Sequence, residues 1–115
     1  MANKVLNFNQ IQAPTLELTM MDEAQTVIKV TTPTIGLLNE LEAVLPEFEK
    51  VARSGNKEAV TAIYDLAAKL INCNRSFITV TGEELREKYK IGLDFLQVFF
   101  SVYMDFVTEI YNTKN

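Results

Sequence analysis

The sequence predicts an α+β protein: an N-terminal β-hairpin followed by a mostly α-helical domain of about four helices. Three observations predict it. Residues 15–31 hold two short runs of strand character around a compact polar turn. From Thr32 onward, apolar residues recur at steps of three and four, the helical period. Turn and cap residues (Ser54-Gly55-Asn56, Asn72 to Arg75, Thr81-Gly82) then divide that helical pattern into segments.

Residues 1–14 are rich in Asn and Gln, show no clear period and end at Pro14, so they read as a flexible or extended arm before a single domain over 15–115. Thr15 to Met20 alternates polar and apolar, and Gln25 to Thr31 is β-branched. Met21 to Ala24 is short enough to close a hairpin between them. A two-stranded hairpin is marginal in water, so its apolar face must lie against helices or another chain's strands.

Thr32-Pro33 carries the signature of a helix start, Thr as N-cap and Pro at the first helical position. Over 33–53, Leu37, Leu38, Leu41, Val44, Leu45, Phe48, Val51 and Ala52 keep one face without a phase break. Pro46 lies inside that pattern, removes one backbone hydrogen bond and should kink the helix. Ser54-Gly55-Asn56 ends this helix and caps the next, expected over 57–73 with Ala59, Val60, Ile63, Leu66, Ala67, Leu70 and Ile71 inward. Phe77 to Val80 is a short apolar stretch, expected extended and a candidate third strand beside the hairpin. Thr81-Gly-Glu-Glu84 is a capping-box pattern opening a short helix over 82–89.

The last helix, expected over 91–112, is the most unusual element. Asp94, Gln97, Ser101, Asp105, Thr108 and Asn112 form one narrow polar stripe, and nearly everything else is apolar. A helix so apolar must be surrounded, by its own domain or by another chain. Phe99, Phe100, Tyr103, Phe106 and Tyr111 are either ordinary core or, where so few elements run out of cover, a partner-binding surface. Self-association through the hairpin edge or this helix is expected on the same ground.

Composition narrows the chemistry. At 115 residues the chain has the size of one domain and should bury roughly 65% of its unfolded surface, enough for a core without staples. The net charge of −4 and the absence of a basic cluster argue against nucleic acid as main partner. Cys73 is the only cysteine, so no disulfide framework or cysteine metal site is expected. There is no histidine, which removes the usual general base and the commonest metal ligand. We expect no cofactor, no metal, no membrane span and no signal peptide, and a soluble cytosolic protein.

The remaining polar groups have structural readings. Asp22-Glu23 is an acidic pair in a turn, without a third oxygen ligand for a cation. Glu83, Glu84 and Glu87 sit in a first helical turn, where negative charge favours the macrodipole. Cys73 lies near a helix carboxyl end, which disfavours a thiolate. Asn72, Asn74 and Arg75 are expected to fasten the crossover by side-chain bonds to backbone, or to make a polar contact with a partner.

The order of motifs resembles a known family. Leu16-Glu-Leu-Thr19, Asp22-Glu23 and Val30-Thr-Thr-Pro-Thr34 leading into Leu37-Leu38 and Glu40-Leu41 are similar to the short tail assembly chaperones of siphophages and prophages of Gram-positive bacteria. Leu70-Ile-Asn-Cys-Asn-Arg75, Val80-Thr-Gly-Glu-Glu-Leu85 and Phe99-Phe-Ser-Val-Tyr-Met-Asp-Phe106 continue the likeness. The resemblance implies a non-enzymatic protein of the host bacterial cytoplasm. Such proteins bind the long helical tape measure protein while tail tube protein polymerises around it, and are absent from the mature virion. It also implies a longer form made by ribosomal frameshift near the end of the short reading frame. Thr113-Lys114-Asn115 can be encoded by an A-rich slippery heptamer, or simply by AT-rich codons; the nucleotide sequence separates the two. Two other readings stay open. One is a structural tail component, a terminator or connector subunit, which would be found in purified virions. The other is a carboxylate enzyme, which would need Asp65 to face Asp94 or Asp105 in a cleft.

Overall fold

The computed structural model describes residues 4–7 and 14–112. Most of the arm expected over 1–14, and the Thr113–Asn115 ending, lie outside the described residues. The fold is α+β, a two-stranded antiparallel hairpin followed by the helices. Strand β1 (Leu16–Thr19) pairs with β2 (Val27–Val30) in the register Leu16↔Val30, Leu18↔Ile28. Alternation turns Ile28 and Val30 fully inward, with Leu16 and Leu18 partly covered, and leaves Glu17, Thr19, Val27 and Lys29 on the solvent face. The turn is held by Asp22, whose carboxylate accepts from the Thr26 N–H at 2.8 Å and from the Thr26 hydroxyl.

The first helical stretch starts later than Thr32-Pro33 suggests. Thr31, just past β2, is tied down: its N–H donates to the Cys73 carbonyl at 2.7 Å and its carbonyl accepts from the Tyr103 hydroxyl at 2.9 Å. With the backbone held extended there, the N-cap is Thr34, which accepts from the Leu37 N–H, and helix α1 spans Ile35–Val44. Pro46 splits the stretch instead of merely bending it. A 3-10 turn, Leu45–Glu47, absorbs the missing N–H, and α2 (Phe48–Ser54) continues on the same side. The apolar phase survives the break: Leu41 and Phe48 are buried, and Leu37, Leu38, Val44, Leu45, Val51 and Ala52 pack against the core. Gly55, at φ 69°, ends α2 in the left-handed region, and Asn56 caps the next helix by accepting from the Glu58 and Ala59 N–H groups.

Helix α3 (Lys57–Ile71) is the central element, packing on α1, α2, β2 and the two helices that follow it. Its buried face includes Ile63, Leu66, Ala67, Leu70 and Ile71. Helix α4 (Gly82–Glu87) opens with the expected capping box, the Thr81 hydroxyl on the Glu84 N–H and the Glu84 carboxylate on the Thr81 N–H. Gly82 is required by proximity: a Cβ there would meet Asp65 Oδ1 at 2.5 Å and the α3 backbone at 3.0 Å. Helix α5 (Leu93–Asn112) closes the core. Its start is fixed by the Tyr64 hydroxyl, which donates to the Ile91 carbonyl at 2.6 Å.

Phe77–Val80 forms no third strand, and the described sheet has two strands only. Residues 73–76 run beside β2 instead, through a bridge between Val30 and Asn74, the Arg75 N–H on the Lys29 carbonyl, and the Lys29 N–H on Ser76 Oγ. Two asparagines build this crossover. Asn72 bonds Val80 through both ends of its amide. Asn74 donates to the carbonyls of Ile71 and Ile78 and accepts from the N–H groups of Ser76 and Ile78. Among the described residues no buried side-chain polar atom lacks a partner, and no helix is long and apolar enough to cross a membrane.

Candidate interaction surface

Helix α5 presents three faces, and their order follows from its sequence. The side opposite the polar stripe is buried: Leu96, Phe100, Tyr103 and Val107, at steps of three and four, are each at most 1% exposed. Phe100 meets Phe48 edge-on at 5.8 Å, and Tyr103 bonds Thr31. Burial raises the Tyr103 phenol well above its ordinary pKa. The polar stripe faces water. Between the two lies a third, apolar flank, in which Phe95, Val98 and Val102 are 49%, 60% and 44% exposed.

This geometry corrects the partner-binding set read from the sequence. Phe100 and Tyr103 are core residues and present nothing to a partner. Phe99 and Phe106 are partly buried at the edge of the flank, Phe99 tilted against the Tyr103 ring at 5.6 Å and Phe106 edge-on to it at 6.0 Å. Tyr111, on the row of Phe100 and Val107, is 48% exposed and is the one residue of the set that stands open. The exposed apolar residues of α5 that the sequence reading left out are Phe95, Val98 and Val102. A signal was available: Val98 lies four positions from Asp94 and three from Ser101, Val102 lies three from Asp105, and Phe95 shares their side at steps of three and seven. Selecting by aromatic character picked the face that packs best instead.

The amino-terminal half of the flank continues into a groove of 240 Å³ between α5 and β1. Its walls include Leu18, Met20, Met21, Ile91, Phe95 and Phe99, and Glu17 is its one charged residue. Beside it runs an open strand edge. Met20 and Thr26 form a hydrogen-bonded pair, so alternation turns the backbone groups of Glu17 and Thr19 outward, where they have no partner among the described residues. The opposite edge of the sheet is covered by residues 73–76.

The crossover yields a second feature that the sequence did not signal. Phe77 is 99% exposed and has φ +57°, an uncommon conformation for a bulky residue. It is held there because the N–H groups on either side of it, of Ser76 and Ile78, both bond Asn74.

The acids singled out for carboxylate chemistry do not converge. Asp65 lines a depression between α3 and α4 beside Thr81 and Arg86, while Asp94 lines another beside Phe48 and Arg53. Asp105 lies on the exposed face of α5. Asp22 is held below its ordinary pKa, first by the Thr26 hydroxyl and then by the Thr26 N–H, so its charge is taken up by its own turn. Burial pushes the Cys73 thiol up, away from thiolate reactivity. Among the described residues no group of three or more acidic, cysteine or histidine side chains is placed to hold a metal ion. Comparison of the chain with protein-family models, with curated proteins and with solved structures found no match.

Proposed function

We propose that this protein is a tail assembly chaperone of a siphophage or prophage of Gram-positive bacteria. It would be a non-enzymatic protein that binds the helical tape measure protein in the host cytoplasm while tail tube protein polymerises, and it would be absent from the mature virion. The observation that carries this reading is the exposed apolar flank of α5, taken together with the motif resemblance. Phe95, Val98 and Val102 lie at i, i+3 and i+7, the spacing with which one helix receives another. Between Ile91 and Asn112 the helix carries three acids and no base, so the flank suits an amphipathic helix bordered by Lys or Arg. Each flank residue is already about half covered, so a docked helix would add roughly 1 kcal/mol per residue by burying the rest. That is a reversible grip, as a holdase that must leave requires.

Co-expression with the tape measure protein encoded in the same genome, followed by pull-down, tests the reading. The wild-type chain should retain the tape measure protein in the soluble fraction, and a Val98→Ser, Val102→Ser double variant should lose it. Retention by the double variant removes the flank from the proposal. Detection of the chain in purified virions would replace the chaperone with a structural tail component.

A further inference from the structure

Strand β1 is the open edge of the sheet. Leu16 and Leu18 are bonded to β2, while the backbone N–H and C=O groups of Glu17 and Thr19 point away from it, beside the groove between β1 and α5. Outward backbone groups next to an apolar groove suit one kind of occupant, an extended strand that turns alternate side chains inward. The chain carries such a segment close by. Residues 4–7 are Lys-Val-Leu-Asn and lie outside any helix or strand, with Val5 91% and Leu6 66% exposed. Eight residues, 8–15, join them to β1. A tether of that length holds the segment at an effective concentration on the order of millimolar, above that of any free strand in dilute solution.

We propose that residues 4–7 fold back on their own chain and add antiparallel to β1 as a third strand. One register fits both sides. With Asn7 opposite Glu17 and Val5 opposite Thr19, both outward positions of β1 are paired, and each pair exchanges two backbone hydrogen bonds. Alternation then turns Leu6 inward beside Leu18, at the groove whose walls include Met20, Ile91, Phe95 and Phe99. The outer face becomes two rows across three strands, Asn7, Glu17 and Lys29 polar, Val5, Thr19 and Val27 rich in β-branched residues. A slip of one residue would turn Asn7 inward and set its amide against the apolar wall. Docking closes the sheet edge, covers Leu6 and leaves Val98 and Val102 open further along α5. The inference rests on the hairpin edge and holds whatever the client of the flank.

Amide hydrogen exchange of the full chain, followed residue by residue by NMR, tests it. The Leu18 amide is bonded to β2 and should be protected whether or not the segment docks, so it reports on the fold. The amides of Glu17 and Thr19, on either side of it, gain protection only from a strand on the open edge. Leu6→Asp sets a charge against the groove at a residue that the folded core does not use. Glu17 and Thr19 should exchange at least about tenfold more slowly in the wild type than in Leu6→Asp, with Leu18 the same in both. The rates should not vary with protein concentration. Unprotected Glu17 and Thr19 amides in the wild type overturn the proposal, and so does protection that persists in Leu6→Asp. Protection that grows with concentration also overturns it, because the edge is then covered by a second copy.

Discussion

Two sides of α5 have nearly the same apolar composition and opposite fates. Leu96, Phe100, Tyr103 and Val107 are sealed against α2, α3 and the end of β2, whereas Phe95, Val98 and Val102 stand about half exposed. The difference lies in what the rest of the chain can reach. The covering elements reach only part of the circumference of a helix whose apolar surface extends beyond them. The buried side specifies the fold, and the exposed side is apolar surface that the chain itself leaves uncovered.

The largest effect should come from breaking the buried side. Phe100→Ala removes a fully buried ring and its edge contact with Phe48, and should cost about 3–5 kcal/mol in chemical denaturation. A loss below about 1 kcal/mol would mean that the two sides are not energetically distinct. Tyr103→Phe keeps the ring and deletes only the bond to Thr31. It should cost about 1–2 kcal/mol, read in the same experiment.

Alkaline titration sharpens the comparison without a structural change. Burial raises the phenols of Tyr103 and Tyr64 above their ordinary value of 10.0. From about pH 10 the unfolded chain therefore loses protons that the folded chain keeps. Stability should hold below that pH and fall as pH rises through it. Urea midpoints measured from pH 8 upward should show the decline, and Tyr103→Phe should make it shallower. An unchanged slope would remove Tyr103 as its source.

The smallest effect on stability belongs to the exposed side. Val98→Ser with Val102→Ser should leave the free energy of unfolding within about 0.5 kcal/mol of wild type, while abolishing capture of a basic amphipathic helix. Destabilisation on the scale of Phe100→Ala would show that the flank is part of the core after all.

Much of the fold was legible because it follows from local rules. The hairpin, the caps at Asn56 and Thr81, and the continuous apolar face through Pro46 all rest on residues a few positions apart. The late start of α1 was not legible, because Thr31 is held by Cys73 and Tyr103, partners 42 and 72 positions away. The absence of a third strand over Phe77–Val80, and the bridge at Asn74 in its place, have the same cause. Phe77–Val80 has strand composition, but the pairing with β2 is set by where α3 delivers Asn74.

The surface was legible only in part. Hydrophobic period alone determined that α5 exceeds its cover, since a 3.6-residue repeat with one narrow polar stripe leaves an apolar arc wider than a single packing face. Which side of that arc stays open was decided by the tertiary structure, through the direction from which α2, α3 and the hairpin approach. The same holds for Phe77. Its sequence neighbours Asn72 and Asn74 could be read as fasteners, but only the assembled crossover, with both flanking N–H groups drawn onto one Asn74 oxygen, turns the ring outward. Local patterns record what a segment must bury, and only the packed chain determines what is left uncovered.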